Sequence, residues 1–409
     1  MKHKLKELWF LFILLPIQTF AQITINGAVI DEEALQPIPY VTIYINETTI
    51  GTITNISGRF TIEKVMLPCE IVFSHISYET VVISFDQNSE TNINVELKPK
   101  VVELGAIEVT DKNRREENLR HFKERFLGTD YWGKHAYFEN DSVLIFHLIK
   151  VKDFSGIRWN SHNFNPARLW HESSCSFHQL SATEKEKQDH HSILLPADSS
   201  STLFTVNTKG PLLVNLPLLG YKLHINLIHY TEVQTGTDRD YRFHTLGYFY
   251  FQPEEDASKR KTNRFRKQRL NAYFNSDRHF CRSLFNNRLK ENGYILLFNI
   301  LNPETGLYEL KEFEFDKNII RTGNEAKIIG LKNKSLHIEY SHNYGWPVNL
   351  NERKSTSSLV FSKIYFLKDT CTIRADGSRP DNSIMFGSKI GDKRVGAMLP
   401  NDYEPEKEE

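Results

Sequence analysis

The sequence predicts a mostly β protein, with a seven-stranded β-sandwich at the N-terminus and a larger β-rich domain with a few helices after it. Two observations indicate this class. Aromatic residues make up 12% of the chain, including 27 Phe and 17 Tyr. Short runs rich in Ile, Val, Thr and Tyr also recur between turn residues, which is typical of half-buried strands. The 409 residues suffice for two or three domains of roughly 100 to 200 residues each.

The first 21 residues have the pattern of a signal peptide. Lysines precede an apolar run from Leu8 to Ile17, which at about ten residues is too short to span a bilayer as a helix. Thr19 and Ala21 supply small residues at the cleavage site, so we expect a mature chain that starts at Gln22. No apolar stretch of about eighteen residues follows, which argues against a membrane-spanning helix. We therefore expect export to the periplasm or the outer membrane, with peripheral membrane association at most.

Residues 22–98 are predicted to form the sandwich. Apolar and polar residues alternate in seven short runs, which begin near residues 23, 41, 52, 60, 71, 81 and 93 and have the period of half-buried strands. The segment Asn55-Ile56-Ser57-Gly58 predicts a tight hairpin in which Gly58 has a positive φ. A domain of this size folds alone only if its two sheets pack face to face.

Four segments of this stretch resemble the carboxypeptidase regulatory-like domain, and they are residues 27–31, 37–39, 51–60 and 77–80. The similarity continues to Val109, whereas Asn55 and Ser77 stand where family members typically have Asp and Gly. The resemblance implies a transthyretin-like, Ig-like sandwich that has no active site of its own. It also implies a place among the cell-envelope proteins of Bacteroidetes, where this domain commonly comes first.

After a linker at residues 99–112, the sequence predicts a β-rich domain over residues 113–409. Its clearest helix covers residues 114–127, with Asn113 as the N-cap and Gly128 after the last turn. A second helical region is expected at residues 259–290. The predicted strands cover residues 143–151, 203–206, 221–233, 241–251, 294–301, 307–315, 335–340 and 359–366.

The region from Lys259 to Lys290 contains eleven Lys or Arg and the single acid Asp277. Its second half predicts a helix with Ser276 as the N-cap, an apolar face, and a basic face that includes Arg278, Arg282 and Lys290. Its first half has a less regular apolar pattern. Six cations there are predicted to bind an anionic partner, namely Lys259, Arg260, Lys261, Arg264, Arg266 and Lys267. The alternative is a solvated face balanced by acids elsewhere in the chain.

The C-terminal domain also resembles carboxypeptidase-like regulatory-domain-containing proteins of unassigned function. The matching segments are residues 121–129, 219–224, 269–273, 279–284 and 394–403. This resemblance implies a single architecture for the whole chain. It implies no catalytic chemistry.

Two constellations have metal-site spacing. His121-x-x-Glu124 has the spacing of a zinc carboxypeptidase, but on the predicted helix both side chains lie opposite Leu119 and are expected to face solvent. His171-Glu172-Ser173-Ser174-Cys175 departs from the zincin pattern at its last position, although Cys is itself a zinc ligand, and a polar loop is the alternative. We predict no metal site, no cofactor and no catalytic residue, because no phosphate loop or nucleophile elbow occurs either.

The four cysteines are widely spaced, which fits neither a metal knuckle nor a dense disulfide framework. Export permits disulfides, and the alternative is that the thiols act as small buried hydrophobes. The residues concerned are Cys69, Cys175, Cys281 and Cys371.

The sequence therefore predicts a non-enzymatic exported envelope protein with a binding or assembly role. Its partner would be another envelope protein or an anionic glycan or lipopolysaccharide, and not nucleic acid, because the chain is exported. The net charge is zero, with 51 basic and 51 acidic residues. Two alternatives stay open. One is an outer-membrane β-barrel formed by the C-terminal strands, which solubility without detergent would argue against. The other is a hydrolase without a recognisable motif, which a glycan and peptide substrate screen would test.

Overall fold

The computed structural model describes residues 22–100, 112–150, 202–234, 241–255, 257–301, 308–341, 359–381 and 383–405. These residues form two compact units whose boundary follows Lys100, and Asn46–Thr49 groups with the second unit. The predicted signal peptide, most of the predicted linker and the segment from His171 to Cys175 lie outside the described residues. Within the described ranges, no helix is both long enough and apolar enough to cross a bilayer.

Seven strands build the described part of the first unit. They are β1 (Ile23–Asp31), β2 (Thr42–Ile45), β3 (Gly51–Ile53), β4 (Arg59–Val65), β5 (Cys69–Ser74), β6 (Val81–Phe85) and β7 (Asn92–Leu97). One sheet has the order β4-β1-β7 and the other has the order β3-β2-β5-β6. Both sheets contribute to one core, which includes Val29 of β1 and Phe73 of β5. The predicted seven-stranded sandwich is confirmed.

The turn at residues 55–58 is tight, as predicted, but it does not form a hairpin. Gly58 has a φ of +68°, and its N–H donates to the carbonyl oxygen of Asn55 at 2.9 Å. The strands on either side belong to different sheets, because β3 pairs with β2 and β4 pairs with β1. The predicted hairpin is therefore wrong. A turn sequence specifies a local chain reversal, and it does not specify which strand becomes the partner.

The first part of the second unit contains a six-stranded antiparallel sheet and two helices. The elements are α1 (Lys112–Leu127), α2 (Tyr131–His135), β8 (Tyr137–Phe138), β9 (Leu144–Lys150), β10 (Thr202–Thr208), β11 (Leu212–Leu216), β12 (Tyr221–Gln234) and β13 (Tyr241–Pro253). The strand order is β8-β11-β12-β10-β9, and β13 also pairs with β12. Phe122 and Phe126 of α1 pack in one core with Leu223 and Tyr230 of β12.

The remainder of the second unit contains two smaller sheets and three helices among the described residues. The elements are α3 (Lys259–Tyr273), α4 (Asp277–Phe285), β14 (Tyr294–Leu301), β15 (Tyr308–Glu312), β16 (Ile319–Thr322), β17 (Glu325–Ile329), β18 (Ser335–Ser341), β19 (Leu359–Phe366), β20 (Thr370–Arg374), β21 (Ile384–Gly387) and α5 (Ser388–Gly391). The sheets have the orders β15-β14-β18-β19-β21 and β16-β17-β20. Their shared core includes Phe280 of α4, Ile338 of β18 and Ile373 of β20. The predicted mostly β class, with a larger β-rich C-terminal part, is confirmed.

The helix predicted after the linker is present, with a small difference at its start. α1 begins at Lys112, so Asn113 lies inside the helix and is not its N-cap. Gly128 follows the last residue and has a φ of +101°. A glycine in the left-handed region commonly ends a helix because it has no Cβ to clash there.

Candidate binding site

The six cations predicted to bind an anionic partner lie on one regular helix. α3 begins after Ser258, whose hydroxyl oxygen accepts a hydrogen bond from the backbone N–H of Lys261 at 3.4 Å. Its first eleven residues include seven Lys or Arg and no acid. All six predicted side chains are exposed. We call this set the basic face, which consists of Lys259, Arg260, Lys261, Arg264, Arg266 and Lys267.

A seventh cation, Arg269, anchors α3 to the sheet. Its Nε donates to the carbonyl oxygen of Leu219 at 2.7 Å, and its guanidinium lies 4.0 Å from the centre of the Tyr221 ring. One turn earlier, buried Phe265 packs so closely on Gly220 that a Cβ there would lie 2.4 Å from the phenyl ring. These contacts fix the inner side of the helix, which leaves the basic face directed to solvent.

α3 itself contains no acidic residue that could balance the charge of the basic face. α3 carries no acidic residue in its first turn, where an acid would complement the helix dipole. Lys261 pairs with Glu254 just outside the helix, and both side chains are largely exposed. Such an exposed pair contributes roughly 0 to 1 kcal/mol to stability, and Glu254 balances one of the six positive charges.

The prediction that α4 has one side lined by exposed cations is wrong. Ser276 caps this helix as predicted, and its Oγ accepts from the N–H of His279 at 3.1 Å. However, Arg282 is only 7% exposed, and its guanidinium donates to the carbonyl oxygens of Asp376 and Asn401 at 2.8 and 3.1 Å. These acceptors allow the charge to be buried, since a buried cation is tolerated when carbonyl or carboxylate groups satisfy it.

Two other cations of this predicted face are also placed differently. Arg278 donates to the carbonyl oxygen of Pro400 and is partly buried. Lys290 lies beyond the end of α4 and pairs with Glu312 and Glu314, each at 2.8 Å. Neither side chain therefore belongs to a basic face of α4.

His121 does not face solvent as the helical pattern predicted. Its Nε2 lies 2.8 Å from the Oε2 atom of Glu232, whose side chain is completely buried under α1. The hydroxyl of Tyr230 donates to the same carboxylate at 3.1 Å, and Arg125 Nε lies 3.7 Å from Oε1. This cluster joins α1 to β12, whereas Glu124 remains exposed. The cluster is a structural ion pair and not the zinc-carboxypeptidase arrangement.

Several segments that carry the C-terminal resemblance meet beside α3 and α4. Arg269 joins the segment at 269–273 to the one at 219–224, as described above. The Arg282 contact with Asn401 joins the segment at 279–284 to the one at 394–403. The rings of Tyr273 and Tyr403 lie 5.9 Å apart. The resemblance therefore marks one spatial region of the second unit.

A cleft of about 610 Å³ opens in this region. Its walls come from the ends of α1 and α3, the start of α2, single residues of β18, β19 and α5, and the segment after α5. Lys393 in that segment donates through Nζ to the carbonyl oxygens of Ala272 and Phe274, at 2.8 and 2.5 Å. An ammonium group at these carbonyls stabilises the C-terminal end of α3. We call this space the junction cleft.

Burial shifts the ionisation of three groups that line the junction cleft. It raises the pKa of the Asp130 and Asp392 carboxyls. It lowers the pKa of the Lys393 ammonium to about 8. The sequence did not single out these residues, although Asp130 and Gly133 have the spacing of a helix N-cap, and Asp130 Oδ1 accepts from the Gly133 N–H at 2.7 Å.

The three described cysteines are free thiols. Cys281 and Cys371 are each 1% exposed and lie in the same apolar core, and burial raises the pKa of Cys281 to about 12. Cys281 and Cys371 therefore act as small buried hydrophobic residues, which is one of the two alternatives given above. Cys175 lies outside the described residues. No group of three or more potential metal ligands occurs within the described ranges.

Comparison with known families identifies a domain that covers most of the first unit. Residues 25–109 match the CarboxypepD_reg-like domain, which is the domain that the residues of the sandwich resemble. The chain therefore carries a carboxypeptidase regulatory-like domain, and this domain is non-catalytic. Comparison of the whole chain with curated proteins gives no match.

Two solved structures show weak similarity. A 9R-lipoxygenase from Cyanothece PCC8801 is 8% identical with a TM-score of 0.17, and the match covers 69% of this chain and 51% of the lipoxygenase. This chain thus spans about half the length of that protein. A putative membrane-associated protein of unknown function from Bacteroides fragilis NCTC 9343 is 9% identical with a TM-score of 0.16, over 57% of this chain and 99% of the other. TM-scores this low support no inference about this chain.

Proposed function

We propose that this chain is a non-enzymatic, exported envelope protein that binds an anionic glycan or lipopolysaccharide through the basic face of α3. The observation that carries the proposal is the concentration of six exposed cations within nine residues of one helix. The proposed location is the periplasm or the outer-membrane surface, with peripheral attachment. The non-catalytic nature of the first unit supports a binding role.

The charge arrangement on α3 is unfavourable for the isolated helix. Arg260 and Arg264 are four residues apart, and Arg264 and Lys267 are three apart, so like charges are neighbours on the surface. Each such pair costs about 0.2 to 0.5 kcal/mol. Lys259 and Lys261 also place positive charge at the positive end of the helix dipole. Binding of a polyanionic partner would remove both the repulsion between like charges and the unfavourable interaction with the helix dipole. A role in binding therefore explains why the helix has this arrangement of charges.

The kind of anion follows from the side chains. Three of the six are arginines, whose planar guanidinium donates two parallel hydrogen bonds to one phosphate or carboxylate. The six charges extend along about two and a half turns of helix, or roughly 13 Å. A polymer or surface with repeated phosphate or carboxylate groups can contact several of them together, whereas a single small anion cannot.

Replacing all six residues of the basic face with Gln is expected to weaken binding to purified lipopolysaccharide about tenfold or more. Six exposed ionic contacts of about 0.2 to 1 kcal/mol each total about 1 to 6 kcal/mol, and a factor of ten in affinity corresponds to roughly 1.4 kcal/mol. The measurement is the dissociation constant at about 0.1 M salt, where the Debye length is about 10 Å. The same titration is made with a carboxylate-bearing polysaccharide.

A second variant controls for the change in net charge. It replaces six lysines that are exposed elsewhere in the second unit with Gln, namely Lys209, Lys311, Lys317, Lys327, Lys332 and Lys334. Both variants lose six positive charges, and both are expected to keep the wild-type melting temperature because the replaced side chains are exposed. Equal weakening by the two variants would show an effect of overall charge and would refute the proposed role of α3.

A further inference from the structure

The junction cleft has the size and wall chemistry of a small-ligand site that is separate from the basic face. Its volume of about 610 Å³ lies within the roughly 300 to 1,000 Å³ of small-molecule sites in proteins. None of the six residues of the basic face lines it. A ligand of the cleft can therefore be recognised independently of the anionic partner of α3.

The walls combine aromatic rings with planar polar groups. Trp132, Phe274 and Tyr340 contribute the rings, while Asn271 and Asn275 contribute side-chain amides. Aromatic rings pack against the C–H faces of sugar rings through apolar contact, and amides both donate to and accept from hydroxyl groups. The walls are too polar for an acyl chain, because burying these groups without partners would be costly.

Charges in the cleft are largely compensated by the protein itself. Lys393 donates to two carbonyl oxygens at the C-terminal end of α3, those of Ala272 and of the C-cap residue Phe274, and Arg125 lies 3.7 Å from Glu232. Lys389 and Arg394 both lie close enough to Asp392 to lower its pKa against the effect of burial. A bound ligand therefore needs no net charge of its own.

Buried polar atoms without a hydrogen-bond partner among the described residues occur on three cleft residues. They are the indole Nε1 of Trp132, the amide Oδ1 of Asn275 and Nη1 of Arg394, whose guanidinium has other interactions. The first two atoms belong to neutral groups. Asn275 is only 8% exposed, so its amide oxygen lacks regular access to bulk water. The indole N–H needs an acceptor and the amide oxygen needs a donor, and a hydroxyl group is both.

From these four observations we propose that the junction cleft binds a neutral saccharide, which packs on the Trp132 side and hydrogen-bonds to Asn275. The aromatic rings supply apolar contact, the amides supply polar contact, and the internal compensation of charge favours a neutral ligand over an ionic one. The volume of the cleft accommodates a short oligosaccharide more readily than a polymer.

The test is isothermal titration of the full chain with neutral trisaccharides built from glucose, mannose and N-acetylglucosamine. At least one is expected to bind saturably and to change tryptophan emission. Asn275→Gly removes the amide while keeping a residue suited to the φ of +52° found there, and it is expected to weaken that binding about three- to tenfold, as loss of a hydrogen bond does. The six-Gln variant of α3 is expected to bind the saccharide as the wild type does.

Asn333→Gly is the matched control, because Asn333 has a similar φ of +59° and is not among the residues that line the cleft. It is expected to leave saccharide binding unchanged. Absence of saturable binding by every trisaccharide would overturn the proposal, and so would equal binding by Asn275→Gly and the wild type. Saturable binding of inorganic phosphate without any saccharide would show an anion site and would overturn it too.

Discussion

Gly396→Ala is expected to destabilise the second unit by about 3 kcal/mol or more, which is at the upper end of the range for overpacking a core. A Cβ on Gly396 would lie 2.5 Å from the Cα of Gly133 and 2.6 Å from the carbonyl oxygen of Leu127. Both contacts are with backbone, so no side-chain rotation relieves them. α1 and α2 would have to separate from residues 395–397. The urea concentration at the midpoint of unfolding measures the resulting loss of stability.

Gly323→Ala is the control for this substitution. A Cβ there would meet nothing within 4 Å, although Gly323 has a φ of +58°. It is therefore expected to cost only about 1 to 2 kcal/mol, through the backbone conformation alone. If Gly396→Ala unfolds at the same urea concentration as Gly323→Ala, the close approach of the two chain segments is not a determinant of stability.

His121→Leu is expected to cost about 2 to 3 kcal/mol, because it removes the closest cationic or hydrogen-bonding partner of a completely buried carboxylate. Glu232 would retain Tyr230 at 3.1 Å and Arg125 at 3.7 Å, so the loss is smaller than for an isolated charge. The double variant His121→Leu with Glu232→Leu is expected to recover much of the stability, since apolar replacement of a buried pair is often neutral.

Chemical denaturation of the wild type, both single variants and the double variant gives the coupling energy between the two residues. A positive coupling of about 1 kcal/mol or more is expected for groups 2.8 Å apart. Additive losses would mean that His121 and Glu232 stabilise the protein independently of each other.

The sandwich could be predicted from sequence almost strand by strand, because strands such as β4 and β7 have one buried and one exposed face. In β4, for example, Phe60, Ile62 and Val65 are buried while Arg59, Thr61 and Glu63 are exposed. Alternation of this kind reports which face is inside. It does not report which strand lies alongside, which is why the hairpin predicted before β4 does not form.

In the second unit, longer strands such as β12 and β14 could be predicted, whereas short ones could not. β16 and β21 have four residues each, which is too few for a periodic pattern to stand out. The first half of the basic region looked irregular for a related reason. Only Phe265, Ala272 and Tyr273 of α3 are buried, so its apolar stripe is narrow.

The sequence predicts the position of a side chain in the candidate region when that side chain is simply exposed. It does not predict the position of a side chain that is held by a partner elsewhere in the chain. The six cations of the basic face are exposed, as expected for residues that flank a narrow apolar stripe. Arg282 and His121 were misplaced because their partners are remote in sequence. His121 meets Glu232 111 positions away, and Arg282 meets Asn401 119 positions away. Helical periodicity contains no information about such contacts.

The most direct test of the proposed function is the salt dependence of lipopolysaccharide binding by the wild type and by the six-Gln variant of α3. Raising salt from about 0.1 to 1 M shortens the Debye length from about 10 to 3 Å, which screens exposed charges and leaves apolar contacts intact. We expect the wild-type affinity to fall at least tenfold over this range, and the residual binding of the six-Gln variant to change little. A wild-type affinity that is the same at both salt concentrations would contradict recognition by the basic face.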